Sequence, residues 1–135
     1  MRYLSAEELI ALNTSVLLSS HQATTIRNAA GLASIAQLPK QAFFQTEAYP
    51  NLESKLGIVF IKIINLHPFA DGNKRSAIAA LWTMADLNGH WLTFTDTELA
   101  QFALEVAQLE DRKLDYNTVY QTIKSHLTLN AKSKD

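Results

Sequence analysis

The segment LESKLGIVFIKIINLHP, residues 52–68, restricts the possible folds of this chain more than any other. Leu52, Leu56, Val59, Phe60 and Ile63 recur at i, i+4, i+7, i+8 and i+11, which sets them on one face of a helix. Ile58, Ile61 and Ile64 cover much of the remaining surface. A helix apolar on all sides belongs at the centre of a globule, with other elements packed round it. Its β-branched residues leave a buried strand as the alternative, but the run is long for a strand. It is also well short of the roughly 20 apolar residues that span a bilayer, and Lys62 and Asn65 interrupt it. Asn51 stands where an N-cap belongs, and Pro68 prevents the helix from continuing.

The other segments supply helices to surround it. Ser5 and Glu8 have the spacing of a capping box and open a helix to about residue 18. Residues 19–30 are polar and small and predict a loop, and residues 31–38 a short helix stopped by Pro39. The aromatic stretch QAFFQTEAYPN predicts a small β-hairpin or an irregular flap. SAIAALWTMADLNG reads as a second core helix ending at Asn88-Gly89, and HWLTF as a short extended piece. Thr95 with Glu98 caps the helix ELAQFALEVAQ, and Asp115 caps a last helix to about residue 127. With 135 residues, the expectation is one all-α domain over 1–129, a helical bundle with that flap, and a frayed tail over 130–135.

Twelve Lys and Arg against thirteen Asp and Glu give a formal charge of −1, which disfavours direct nucleic-acid binding. The absence of cysteine excludes disulfides, thiolate metal sites and a cysteine nucleophile. MRYLSAEELIAL carries charges inside its apolar pattern and lacks the unbroken core of a signal peptide. A cytoplasmic protein without a membrane segment is expected.

The chemistry concentrates in HPFADGNKRSA, residues 67–77. Histidine changes charge near neutral pH and suits general-base work, although a helix-end histidine can equally serve the free carbonyls there. Asp71 offers a hard carboxylate for Mg²⁺, or alternatively an ordinary turn aspartate before Gly72. Gly72 permits a turn closed to other residues, and Asn73 can cap the next helix or donate an amide to an oxyanion. Lys74 and Arg75 fall in the first helical turn, where cations oppose the macrodipole; an anionic ligand at that N-terminus resolves the conflict. Two solvated surface cations are the plainer alternative. Pro68 and Phe69 read as structural.

These residues resemble the motif of the Fic/Doc family: His-Pro-Phe, any residue, an acid, Gly-Asn, Gly or Lys, then Arg. The Gly-Asn-Lys-Arg ending resembles the Doc (death-on-curing) branch, as do LSAEELIALN, the Gly31-Leu32 region and AYPNLESKLG in the same order. The resemblance implies a Fic fold with the loop between two core helices. It implies that His67 deprotonates a target hydroxyl, that Asp71 holds Mg²⁺ on ATP, and that Gly72, Asn73, Lys74 and Arg75 bind nucleotide. Doc-branch members are toxins that act as protein kinases, with elongation factor Tu the associated substrate, whereas typical Fic members transfer AMP.

Two positions separate these activities. The AMP-transferring pattern has a second glycine where this chain has Lys74 and a second arginine where it has Ile78. Both favour transfer of the γ-phosphate to a Ser or Thr of a translation factor, with AMP transfer as the same-fold alternative. A metal-dependent hydrolase using His67 and Asp71 lacks further ligands, and a non-catalytic binding module would not need so complete a motif. The family's inhibitory motif, a Ser or Thr four residues before Glu and then Gly or Asn, has no match, so restraint is expected from an antitoxin inserting a helix near the flap and core helices. Phe43, Phe44 and Tyr49 of the flap either pack beneath it or position a target strand. His21, His90 and His126 read as ordinary residues, Glu105, Glu110 and Asp111 as a solvated face, and Trp82, Trp91 and the phenylalanines outside the flap as core.

Overall fold

Six α-helices, one short hairpin and one two-stranded pairing of distant segments build the fold in the computed structural model, which describes residues 1–130. Helix α1 spans Ala6–Leu17, α2 Ala29–Gln37, α3 Leu52–Leu66, α4 Asn73–Leu87, α5 Asp96–Gln108 and α6 Tyr116–Ser125. Strand β1 (Ala42–Phe43) pairs antiparallel with β2 (Thr46–Glu47), and β3 (His90–Leu92) with β4 (Leu127–Leu129).

The apolar run is the central helix, as its pattern predicts. Every residue of α3 from Glu53 to Ile61 is buried, together with Ile63 and Ile64. Helices α2, α4, α5 and α6 all pack on it. Phe60 stacks on Phe102 of α5 at 4.9 Å between ring centroids, and Phe102 on Phe94 at 5.5 Å. On the α6 side, a Cβ at Gly57 would lie 2.3 Å from the Tyr120 ring, so the absence of a side chain there sets the approach of the two helices. Lys55 is buried, with Nζ donating to the Pro39 carbonyl at 3.0 Å and pairing with Glu47 of β2 at 2.8 Å. That ion pair ties the flap hairpin to the core helix.

The helix starts follow their caps. Ser5 with Glu8, Asn51 with Ser54, and Thr95 with Glu98 each form a reciprocal capping box. The Ser5 and Thr95 backbone N–H groups, then their hydroxyls, hold the Glu8 and Glu98 carboxyls below the ordinary range. Asp115 caps α6. Helix α2 starts at Ala29, earlier than residue 31, because Asn28 accepts from the Gly31 N–H. Helix α6 ends at Ser125, and the residues after it turn back as β4 beside β3. Asn130, placed in the tail by the expected boundary, is buried, and its N–H donates to the Gly89 carbonyl at 2.8 Å; residues 131–135 lie outside the described residues.

Two tryptophans depart from the expected core. Trp82 is on the outer side of α4 and Trp91 points outward from β3, while Leu92 beside it turns in. Phe60, Phe69, Phe94 and Phe102 are buried as expected. Among the described residues, no helix is long and apolar enough to cross a membrane.

Candidate active site

The loop from His67 to Gly72 joins the two central helices, and its backbone is unusual at both ends. His67 closes α3 in the left-handed region, φ 46° and ψ 61°, which a non-glycine residue adopts at a cost. Pro68 directly follows it and further restricts its angles. The surrounding chain enforces this conformation. Asn28 Nδ2 donates to the Leu66 carbonyl at 3.0 Å, and the Arg27 and Asn28 N–H groups donate to the Pro68 carbonyl at 2.8 and 3.2 Å. Ile26 bridges Phe69, and the Ala70 N–H reaches the Thr25 carbonyl at 2.9 Å. Strain that the neighbourhood overrides in this way is a mark of functional sites. The result is an exposed His67 side chain above a buried Pro68 and Phe69. Phe69, 1% exposed, is the anchor expected of it.

At the other end Gly72 precedes α4 with φ +76°. The other five helices each have a side-chain cap; α4 has none. Its first helical bond runs from the Ser76 N–H to the Gly72 carbonyl at 2.8 Å, so the amides of residues 73–75 have no carbonyl partner among the described residues. Such a terminus attracts an anion. Lys74 and Arg75 are exposed beside it. Arg75 Nη1 also donates to the Val16 carbonyl at 2.8 Å, at the C-terminal end of α1, where a cation is favourable. No described residue bonds the Lys74 ammonium.

Asn73 does not cap α4. Its Nδ2 donates to the Phe69 carbonyl at 2.8 Å and its Oδ1 accepts from the Phe69 N–H at 3.1 Å, closing a ring across the loop. One amide N–H is left over for a phosphate. Asp71 is exposed, and its carboxylate is not bonded to any described residue. No group of three or more His, Asp or Glu side chains able to hold a metal occurs among the described residues. A hard, exposed, single carboxylate suits a Mg²⁺ ion that takes its other ligands from nucleotide phosphates and water.

The flap residues divide. Tyr49 packs against the core, while Phe43 and Phe44 are exposed, Phe44 completely, at a tip where Phe44 and Gln45 both have positive φ. Ile78 is half-buried against the core. His126 stacks on Phe94 at 3.8 Å, the His90 ring bonds to the Asn88 carbonyl, and His21 ends a single helical turn after α1. Grooves of 270 and 380 Å³ run beside α5 and α6, and neither is lined by a motif residue.

Sequence reasoning missed two contributors. Residues 25–28 read as plain loop and instead form the wall that holds the loop from His67 to Gly72; Asn28, just before an Ala-rich helix start, was the available signal. Asn13 was also missed, though it is a polar residue at i+4 from Leu9 and i−4 from Leu17 on an otherwise apolar face.

Gly72 gives a direct check of this geometry. A Cβ there would stand 3.1 Å from Leu17 Cδ2 and 3.2 Å from Asn13 Nδ2, on a left-handed backbone. Gly72→Ala is expected to destabilise by about 1–2 kcal/mol in denaturant unfolding. An unchanged unfolding midpoint would contradict the left-handed turn.

A helical bundle whose two central helices hold such a loop between them is a Fic fold. The model of the Fic/DOC family matches residues 3–85, and the chain belongs to that family. It is similar to Toxin Doc of Mycolicibacterium smegmatis (strain ATCC 700084 / mc(2)155), with 32% identity over 78 residues. That similarity covers 57% of this chain and 60% of the relative, so less than two thirds of the relative's length is matched. It agrees with the Doc-branch resemblance of the motif.

Proposed function

We propose that this chain is a Doc-type toxin that transfers the γ-phosphate of ATP to a Ser or Thr hydroxyl of a translation factor, with elongation factor Tu the first candidate. The observation that carries the reading is one loop presenting an exposed His67, an exposed Asp71 and the uncapped, lysine-flanked N-terminus of α4. In this reading the amides of residues 73–75, with Lys74 and Arg75, receive the nucleotide phosphates. Asp71 would hold a Mg²⁺ that arrives with them and spreads their charge. The target oxygen attacks Pγ, the bond from Pγ to the bridging β,γ-oxygen breaks, and ADP leaves. The hydroxyl proton passes to an imidazole nitrogen of His67.

AMP transfer at the same loop would instead need the α-phosphate beside His67. Lys74 fills space that a glycine leaves open to an α-phosphate, and half-buried Ile78 supplies no cation; both support γ-transfer. A toxin aimed at translation requires restraint, and an antitoxin helix lying over the exposed Phe43, Phe44 and the α3–α4 junction would supply it. The deciding experiment incubates the chain and elongation factor Tu with ATP labelled at either the α- or the γ-phosphate. Label on the protein from the γ position alone is expected. Label from the α position overturns the kinase reading in favour of AMP transfer, and the absence of protein labelling with either form counts for the non-catalytic alternative.

A further inference from the structure

We propose that Asn13 is a positioning residue for the phosphate-binding turn, an inference that rests on the transferase reading above. Asn13 lies on α1 between Leu9 and Leu17, the other two buried residues of that helix, and is itself 0% exposed. An apolar side chain would be the default at such a position. A carboxamide there must be stripped of water, and its Oδ1 is left without a hydrogen-bond partner.

What Asn13 supplies in return is Nδ2. It donates to the Asp71 backbone carbonyl at 2.9 Å and to Ser76 Oγ at 3.0 Å. These two bonds hold the turn on either side of Gly72. Asp71 carries the exposed carboxylate, and Ser76 closes the first turn of α4 through its N–H bond to Gly72. The carboxamide has one workable orientation. The Asp71 carbonyl can only accept, so turning the amide over would set Oδ1 lone pairs against it. Gly72 brings the turn close enough that a Cβ there would be 3.2 Å from Nδ2. Through these contacts α1 fixes the peptide between Asp71 and Gly72, and hence the angle at which the carboxylate and the free amides meet a nucleotide. A site held in its working geometry before the ligand arrives binds and reacts better than one that must be ordered by it.

The test is Asn13→Leu, which keeps the branched shape and removes both donors together with the orphaned oxygen. Its thermal midpoint should change by only a few degrees, because relief of the buried, half-satisfied carboxamide offsets the acceptors left unpaired on Asp71 and Ser76. Amide hydrogen exchange over residues 70–76 should become faster. Mg-ATP affinity and the kcat/KM of transfer should fall about 10–100-fold, the usual loss when a supporting partner of a site is removed. A residue with a merely structural role would move stability and activity together. Ser76→Ala is the second variant, should Asn13→Leu fail to fold; it leaves Asn13 in place, removes one acceptor, and should also quicken exchange over 70–76. Unchanged exchange or unchanged Mg-ATP affinity in folded Asn13→Leu overturns the inference, as does unchanged exchange in Ser76→Ala. If wild type binds no Mg-ATP, the transferase reading falls, and the exchange measurement still decides the role of Asn13.

Discussion

His67→Ala is expected to reduce phosphate transfer by about 10²–10⁴-fold, the range for loss of a general base, with Mg-ATP affinity little changed. The asymmetry follows from where the side chain sits. It is exposed at the end of α3 and has no hydrogen bond to a described residue, whereas the groups proposed to receive the phosphates belong to α4 across the loop. The same substitution should relieve the growth arrest expected when wild type is expressed alone. A companion variant separates chemistry from folding. His67 holds a left-handed backbone, φ 46°, that glycine adopts without strain. His67→Gly should therefore be as inactive as His67→Ala and no less stable than wild type. Near-normal transfer by either folded variant would sink the assignment of the base.

Those elements that depend on local residue type could be read directly from the chain. The all-round burial of α3 follows from its isoleucines and leucines, and the capping boxes at Ser5 and Thr95 and the cap at Asn51 mark helix starts by side-chain chemistry alone. The loop residues of the site were visible for the same reason, since they lie within eleven consecutive positions. The supports of that loop were not. The N–H groups of Arg27, Asn28 and Ala70 donate to main-chain carbonyls far along the chain, and a bond between main-chain groups places no demand on residue type. Arg75 shows the same limit: on α4 alone it is a misplaced cation, and only the fold brings it to the carbonyl end of α1. Asn73 was open between capping and anion binding, and the closing of the loop on Phe69 gave its side chain a third task. The pairing of β3 with β4 joins segments separated by two helices, so no turn signal announces it. These last elements, α5, α6 and β4, also lie beyond the family match at residues 3–85.

The central helix makes the largest expected effect on stability easy to place. Phe60 is 0% exposed and lies at the inner end of a stack that continues through Phe102 and Phe94 to His126. Phe60→Ala removes a ring from a close-packed interior and leaves a cavity that α3 and α5 cannot close without moving, at a cost of about 3–5 kcal/mol. A domain of this size has about 5–15 kcal/mol of stability in all, so the thermal midpoint should fall by about 10–20 °C. Phe44→Ala is the matched control, because it deletes the same atoms from a fully exposed hairpin tip. Its stability should stay within about 0.5 kcal/mol of wild type. Equal losses from the two substitutions would contradict the burial of α3. The consequence reaches the site as well. His67 is the residue that ends α3, so a shift of the helix in Phe60→Ala moves the proposed base relative to the α4 amides, and a displacement of about 1 Å is enough for a hundredfold loss of rate. Transfer measured well below the lowered midpoint should therefore remain impaired in the fraction that is still folded.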